Sequence, residues 1–349
     1  MSPPPPVELL SGIDALYLSA QCNLHPSLLD DLEGARQLAE LTSLPVPADL
    51  GGYPVTVQPH SFGKYRYCLK HDLGMLGFTP SRKLPPIRYQ ASAVALHAAG
   101  PEGAVLWLRN LLDSAGIDAT LHVSRLDLHS DWQRLDMKAS ERANFVTYSN
   151  LRALYEVDEQ LAGLNFGKRG APIYCRIYDK SREAEKNGHD WWPEVWGPAY
   201  DPDEKVLRIE FELRREGLKQ FGVDTPDEAI SRAGELWAYV TQSWLSLRQP
   251  SADETRSRWP VDPRWQAVQR ATLAGGCAPA ARIREGERQG QLRTYRKLAT
   301  GVLSSMAVPM GTHDVDDTLD ALVPELRLYE QVSGQAFGDR VATKRQRGA

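Results

Sequence analysis

Three separated segments of this chain alternate polar and apolar residues with a period of two, and that period fits the half-buried β-strand. In Arg125-Leu-Asp-Leu-His-Ser-Asp131, residues Arg125, Asp127, His129 and Asp131 fall on one face, with Leu126 and Leu128 on the other. In Ile173-Tyr-Cys-Arg-Ile-Tyr-Asp-Lys180, Tyr174, Arg176, Tyr178 and Lys180 oppose Ile173, Cys175 and Ile177. In Arg208-Ile-Glu-Phe-Glu-Leu-Arg214, Arg208, Glu210, Glu212 and Arg214 oppose Ile209, Phe211 and Leu213. If the three strands neighbour one another, with helices on the apolar side, their polar sides form one surface of carboxylates, cations and phenols.

Such a surface suits phosphodiester chemistry. Asp127 with Glu210 or Glu212 offers the hard oxygen ligands that Mg²⁺ or Mn²⁺ takes. The ion would neutralise a phosphate oxygen as charge builds in the transition state. Tyr178 is the candidate nucleophile, and a phenol of reference pKa ~10 needs Lys180, Arg176 or the metal to favour its ionised form. Each residue also has a plainer reading. Glu210 and Glu212 can pair with Arg208 and Arg214 for roughly 0.2 to 1 kcal/mol, and Tyr178 can be a rim aromatic with its hydroxyl in water. His129 is either a further ligand or a structural histidine, and the chain has no HxH pair. Gly167-Lys-Arg-Gly170 either brings Lys168, Arg169 and backbone amides to a phosphate or simply turns a hairpin.

Around these strands the pattern is mixed. Residues 12–19 suit a strand and 26–41 a helix; 64–69 and 73–78 suit a hairpin, and 87–96 a further strand. Pro101 opens a helix in which Val105, Leu108, Leu111 and Leu112 share a face before Gly116 ends it. Residues 227–247 read as one helix whose Leu236, Tyr239, Val240, Trp244 and Leu247 face a core. The polar, Pro-bracketed stretch 249–263 reads as a linker where the chain changes domain. Helices are expected at 263–274, 280–306 and 314–332. The domains implied are a lead-in element at 1–50, a catalytic domain at 51–250, and a linker with a helical, basic-tailed region at 251–349.

Bulk properties narrow the classes. The 349 residues are 42% hydrophobic with a formal net charge of −4, so a DNA-binding surface would have to concentrate its cations locally. No apolar run approaches the ~20 residues of a spanning helix. The start, Pro3 to Pro6, lacks a signal-peptide pattern, so a cytoplasmic protein is expected. The cysteines Cys22, Cys68, Cys175 and Cys277 are too scattered for zinc spacing and read as reduced, mostly buried thiols. Neither GxxxxGK[ST] nor GxGxxG occurs, so nucleotide hydrolysis and a dinucleotide cofactor have no support.

The run Asn165-Phe-Gly-Lys-Arg-Gly-Ala-Pro-Ile-Tyr-Cys-Arg-Ile-Tyr-Asp-Lys180 is followed by Leu207-Arg-Ile-Glu-Phe-Glu-Leu-Arg-Arg215 and preceded by Ser124-Arg-Leu-Asp127. Together with Arg256-Ser-Arg-Trp-Pro260 downstream, it resembles the replication initiation factor (Rep_trans) family, over residues 53–263. That family holds rolling-circle plasmid initiators, phage replication proteins and relaxases of integrative elements. The resemblance implies an α+β fold with an antiparallel sheet backed by helices, related to HUH endonucleases without their histidine pair, and a helical C-terminal region. It implies Tyr178 as the nucleophile, with Tyr174 as fallback, and Asp127 and Glu210 as metal ligands, with Glu212 and Asp131 behind them. The reaction implied is nicking of one origin strand, leaving a 5′-phosphotyrosine and a free 3′-hydroxyl for rolling-circle replication.

The partners implied are single-stranded or hairpin origin DNA, a host helicase and polymerase, and a second copy of the chain, with no membrane. Candidate DNA contacts are Arg125, Arg176, Lys168, Arg169 and Arg214, together with Arg288 and Arg293 in a cationic stretch at 281–297. The alternatives are a relaxase that starts DNA mobilisation, a metal nuclease in which water attacks, and a non-catalytic DNA-binding regulator on the same scaffold.

Overall fold

The computed structural model describes residues 4–157, 160–271, 273, 299–300, 302–333, 336–339 and 341–342. The chain forms two compact units, one of residues 1–18 and 122–294 and the other of 19–121 and 295–349. The boundaries expected near 50 and 250 therefore fall inside the units rather than between them. The stretch 249–263 lies within the first unit, closed into a loop by Gln249 N donating to Pro260 O at 2.8 Å.

In the first unit the strand order is β1 (Val7–Cys22, up to Leu18), β7 (Ala119–Gln133), β12 (Leu207–Arg214), β11 (Ile173–Asp179), β10 (Gln160–Phe166) and β9 (Arg152–Val157). The ladders β7/β12, β12/β11, β11/β10 and β10/β9 are all antiparallel. The antiparallel sheet backed by helices is thus present, and each of the three alternating segments is a strand in it. Helices α6 (Arg215–Gln220), α7 (Pro226–Ser231), α8 (Ala233–Tyr239) and α9 (Pro263–Gln269) follow β12 in the chain. The apolar face is packed with aromatic rings: Phe211 meets Trp237 and Trp244 edge-on at 5.6 and 6.1 Å, and Phe145 meets Phe166 and Trp265. Edge-on pairs of this kind add about 0.5–1.5 kcal/mol each beyond the area they bury.

The long helix expected at 227–247 is broken. After α8 the chain widens into a π-turn at Val240–Trp244 and leaves as β13 (Leu245–Leu247), which pairs with β8 (Phe145–Thr147). The cause lies at Thr241, whose carbonyl accepts from Trp265 Nε1 at 2.8 Å and Gln269 Nε2 at 2.9 Å. Two side chains from α9 hold that carbonyl, and bulges of this sort are how a helix accommodates such a disturbance. The expected core residues Leu236, Val240, Trp244 and Leu247 are nevertheless buried.

The second unit contains α1 (Pro26–Thr42), the antiparallel ladders β2 (Val46–Leu50), β3 (Tyr53–Val57), β4 (Tyr67–His71), β5 (Gly74–Phe78) and β6 (Ile87–Ala91), and helices α2 (Ala93–Ala98), α3 (Gly100–Ser114) and α10 (Val315–Ser333). The strand expected through 96 stops at Ala91 because the Ser92 hydroxyl accepts from Ala95 N at 3.1 Å and caps α2. Most of the helix expected at 280–306, with Arg288 and Arg293, lies outside the described residues, as does Cys277. Among the described cysteines, Cys68 and Cys175 are buried and Cys22 is half-buried, all as free thiols. No helix among the described residues is long and apolar enough to cross a membrane.

Candidate active site

Strand register decides which of the alternating residues meet. Across β7 and β12, Asp131 faces Arg208, His129 faces Glu210, Asp127 faces Glu212 and Arg125 faces Arg214. Across β12 and β11, Arg208 faces Tyr178, Glu210 faces Arg176 and Glu212 faces Tyr174. Residues opposite one another in a ladder share a face, so Tyr178, Glu210 and Asp127 stand on the same side of the sheet.

Along β12 that face resolves into three zones. In the middle, the Tyr178 hydroxyl donates to Glu210 Oε2 at 3.0 Å, and Arg176 is paired with Glu210 Oε1 while its guanidinium lies 5.8 Å from the Tyr178 ring centre. Burial, followed by the Glu210 charge, pushes the Tyr178 phenol well above its usual range, against the opposing pull of Arg208 and Arg176. The resting phenol is therefore protonated.

One step further along, Asp127 and Glu212 form the second zone. Arg125 pairs with both, Arg214 pairs with Glu212, and Arg125 also lies over the Tyr17 ring at 4.9 Å. Burial, with the Glu210 and Glu212 charges, pushes Asp127 up to about 8, although Arg125 works the other way. The two acids and two guanidiniums balance in number, so burial is what favours the neutral form of Asp127.

The third zone differs from expectation. Asp131 accepts from Arg208 Nε at 2.6 Å, Arg208 Nη2 at 2.8 Å and Trp196 Nε1 at 2.8 Å, and Arg208 also pairs with Asp14 of β1. Burial alone would raise Asp131, but Arg208, with help from His129 and Trp196, outweighs it and holds the carboxyl below its ordinary range. Both oxygens are held, as those of Asp127 are by Arg125, but here the guanidinium is itself fully buried, so Asp131 anchors Arg208.

Lys180 is also placed differently. β11 ends at Asp179, whose carboxylate accepts from Arg182 N at 3.0 Å and caps α4 (Lys180–Lys186). Lys180 is the first residue of that helix, with its ammonium paired to Glu183 and lying 4.5 Å from the Trp192 ring centre. Lys168 and Arg169 are exposed at the β10–β11 hairpin tip, where Gly167 and Gly170 take φ of 91°. Arg169 is near enough to Tyr174 to draw that phenol down, against the larger effect of burial.

Exposure separates the charges by sign. Glu210, Asp127 and Glu212 side chains are 1%, 1% and 4% exposed, whereas those of Arg125, Arg176 and Arg214 are 20%, 38% and 37% exposed. A chain of net negative charge thus turns a rim of guanidiniums outward here, with the acids beneath them. Among the described residues, no group of three or more His, Cys, Asp or Glu side chains is gathered so as to hold a metal ion as it stands.

Sequence reasoning missed the cover over the Arg208 end. Helix α5 (Trp192–Trp196) comes between β11 and β12 in the chain, and its Trp192 and Trp196 pack with Ala184 and Val206 beside Leu9 and Leu10 of β1. The signal was present as Trp191-Trp192 and Trp196, three indoles in six residues. No protein-family model and no curated protein matches the chain. Among solved structures it is similar to a rolling circle replication initiator protein from Geobacillus stearothermophilus, at 17% identity, over 78% of this chain and 99% of that one, with a TM-score of 0.42.

Proposed function

We propose that this protein nicks one strand of DNA by tyrosine transesterification, in the manner of a replication initiator. The observation that carries the reading is the 3.0 Å hydrogen bond from the Tyr178 hydroxyl to Glu210, set beneath three partly exposed arginines. Arg176, Arg125 and Arg214 bind the phosphate backbone at the rim and orient one phosphodiester over the phenol. Glu210 accepts the phenolic proton as the Tyr178 oxygen bonds to phosphorus. The P–O3′ bond breaks, the 3′ oxygen takes up a proton, and the 5′ phosphate remains on Tyr178. The count of phosphoester bonds is unchanged, so the strand can be rejoined by the reverse reaction.

A divalent cation, Mg²⁺ or Mn²⁺, belongs to this reading. The donor chemistry fits in type: Asp127, Glu210 and Glu212 are buried carboxylates on one face, the hard oxygen donors such an ion takes. Asp127 and Glu210, with Glu212 behind them, would hold the ion in exchange for guanidinium contacts. Once bound it supplies charge neutralisation at the phosphate.

The test is incubation of the chain with single-stranded DNA from its own replicon and Mn²⁺, followed by mapping of DNA-linked peptides. A covalent adduct at Tyr178 that Tyr178→Phe abolishes is the expected result. Nicking undiminished in Tyr178→Phe would transfer the attack to water. One observation favours a second reading: arginines already pair with Asp127, Glu210 and Glu212, which suits a non-catalytic DNA-binding regulator. Specific DNA binding with supercoiled plasmid left intact would establish that reading instead.

A further inference from the structure

Helices α4 and α5, which follow β11 in the chain, line a cleft of about 650 Å³, inside the range of roughly 300–1,000 Å³ typical of ligand sites. One wall is aromatic. Trp192 and Trp196 stack at 5.6 Å between ring centres, and Trp196 and Tyr200 follow at 4.9 Å. This wall is fixed from behind: Trp192 has Lys180 and Arg208 at 4.5 and 4.6 Å from its ring centre, and Trp196 is tied by its indole N–H to Asp131. The other lining residues include the exposed side chains of Arg182, Glu185 and Asp190.

Trp192 and Trp196 are 3% and 4% exposed, with Trp191 stacked on Trp192 at 4.6 Å, so the half-buried Tyr200 is the ring of this wall that can meet a flat, unsaturated ring. Carboxylates at its margin fit a ring edge that donates hydrogen bonds, and the guanidinium of Arg182 suits an attached phosphate better than a bare cationic ligand. The cleft also adjoins the tyrosine. Asp179, the residue after Tyr178, lines it, and Arg208, the ladder partner of Tyr178, lies against Trp192.

We infer that this cleft takes one unstacked nucleobase of single-stranded DNA, selected for an exocyclic amino group by Glu185 and Asp190. The inference rests on DNA being the partner of the Tyr178 site, and it adds a specificity pocket to that site. Adenine, cytosine and guanine each carry an amino group on an edge, whereas thymine does not. Base stacking on aromatic side chains is by itself sequence-tolerant, so discrimination has to come from the two acids.

The experiment measures binding of the full chain to dA8, dC8, dG8 and dT8 by fluorescence anisotropy, without divalent cations. At least one amino-bearing oligomer is expected to bind about tenfold more tightly than dT8. Glu185→Ala with Asp190→Ala should reduce that preference to about twofold or less, and Tyr200→Leu should weaken all four oligomers. Equal binding of the four, no binding at all, or a preference that survives the double variant would each overturn the inference. The same measurement on Tyr178→Phe separates the two proposals. A retained base preference in a chain that forms no adduct supports the cleft independently of nicking, whereas an adduct at Tyr178 without any base preference supports nicking and rejects the cleft.

Discussion

Asp127 and Glu212 face one another across a single rung of the β7–β12 ladder and share the guanidinium of Arg125. Burial, with the neighbouring Glu210 and Glu212 charges, disfavours the ionised Asp127 despite Arg125, and its carboxyl holds its proton up to about 8.

That proton makes stability depend on pH. An unfolded aspartate loses its proton near 3.9, so between about 4 and 8 the folded chain binds more protons at this group than the unfolded chain does. Unfolding free energy from Asp127 therefore falls as pH rises through this window, with a slope approaching ~1.4 kcal/mol per pH unit. Asp127→Asn should flatten the dependence and be more stable than the parent at pH 8. Urea midpoints at pH 5, 6, 7 and 8 measure it, and equal slopes in the two proteins would contradict the assignment.

Arg208 is fully buried between Asp131 and Asp14. Arg208→Met leaves Asp131 charged in a dry site, and removing one partner of a buried pair costs about 3–5 kcal/mol. Arg208→Met combined with Asp131→Leu removes the stranded charge and should recover much of that loss. Denaturant titration of the parent, both single variants and the double variant tests the coupling; a double variant as unstable as the sum of the singles would show that the two groups act independently.

The three central strands were legible because a period of two cannot be satisfied by a helix, and the register then placed Tyr178, Arg176, Glu210, Asp127 and Glu212 on one face. What the period does not encode is which polar groups saturate one another. Asp131 was indistinguishable from Asp127 in sequence, and only Arg208 and Trp196 converging on it set the two apart. Lys180 had the right parity for the face, yet the cap formed by Asp179 ended the strand one residue before it. The π-turn at Val240–Trp244 was unreadable for a similar reason, since the donors on Thr241 come from Trp265 and Gln269, more than twenty residues away.

Gly163 lies opposite Tyr178 in the β10–β11 ladder and opposite Tyr155 in the β10–β9 ladder. A methyl group there would approach Ile177 O to 3.3 Å, Tyr178 Cβ to 3.7 Å and Tyr155 Cδ2 to 3.9 Å. Gly163→Val should therefore crowd the phenol, at a cost of roughly 1–3 kcal/mol, and lower adduct yield further than Gly163→Ala does. Urea midpoints with phosphotyrosine yields for both variants check the order; a Val variant as active and stable as the parent would mean that the space beside Tyr178 is not used.

Glu210 is the proton acceptor in the proposed reaction, and its replacement has a kinetic signature that simple loss of packing would not produce. Glu210→Gln keeps the size of the side chain and can still accept the Tyr178 hydrogen bond, but its amide cannot take the proton. General-base assistance is worth about 10²–10⁴ in rate, so adduct formation at neutral pH should slow by that order. Because the parent phenol is held well above its usual range partly by the Glu210 charge, the variant loses one of the influences that keep it protonated. Its residual rate should then climb steadily with pH as hydroxide ionises the phenol, while the parent rate, assisted by the carboxylate, depends less on pH. Single-turnover rates of both proteins from pH 6 to 10 distinguish the cases, and parallel profiles would remove Glu210 from the proton transfer while leaving Tyr178 as the nucleophile.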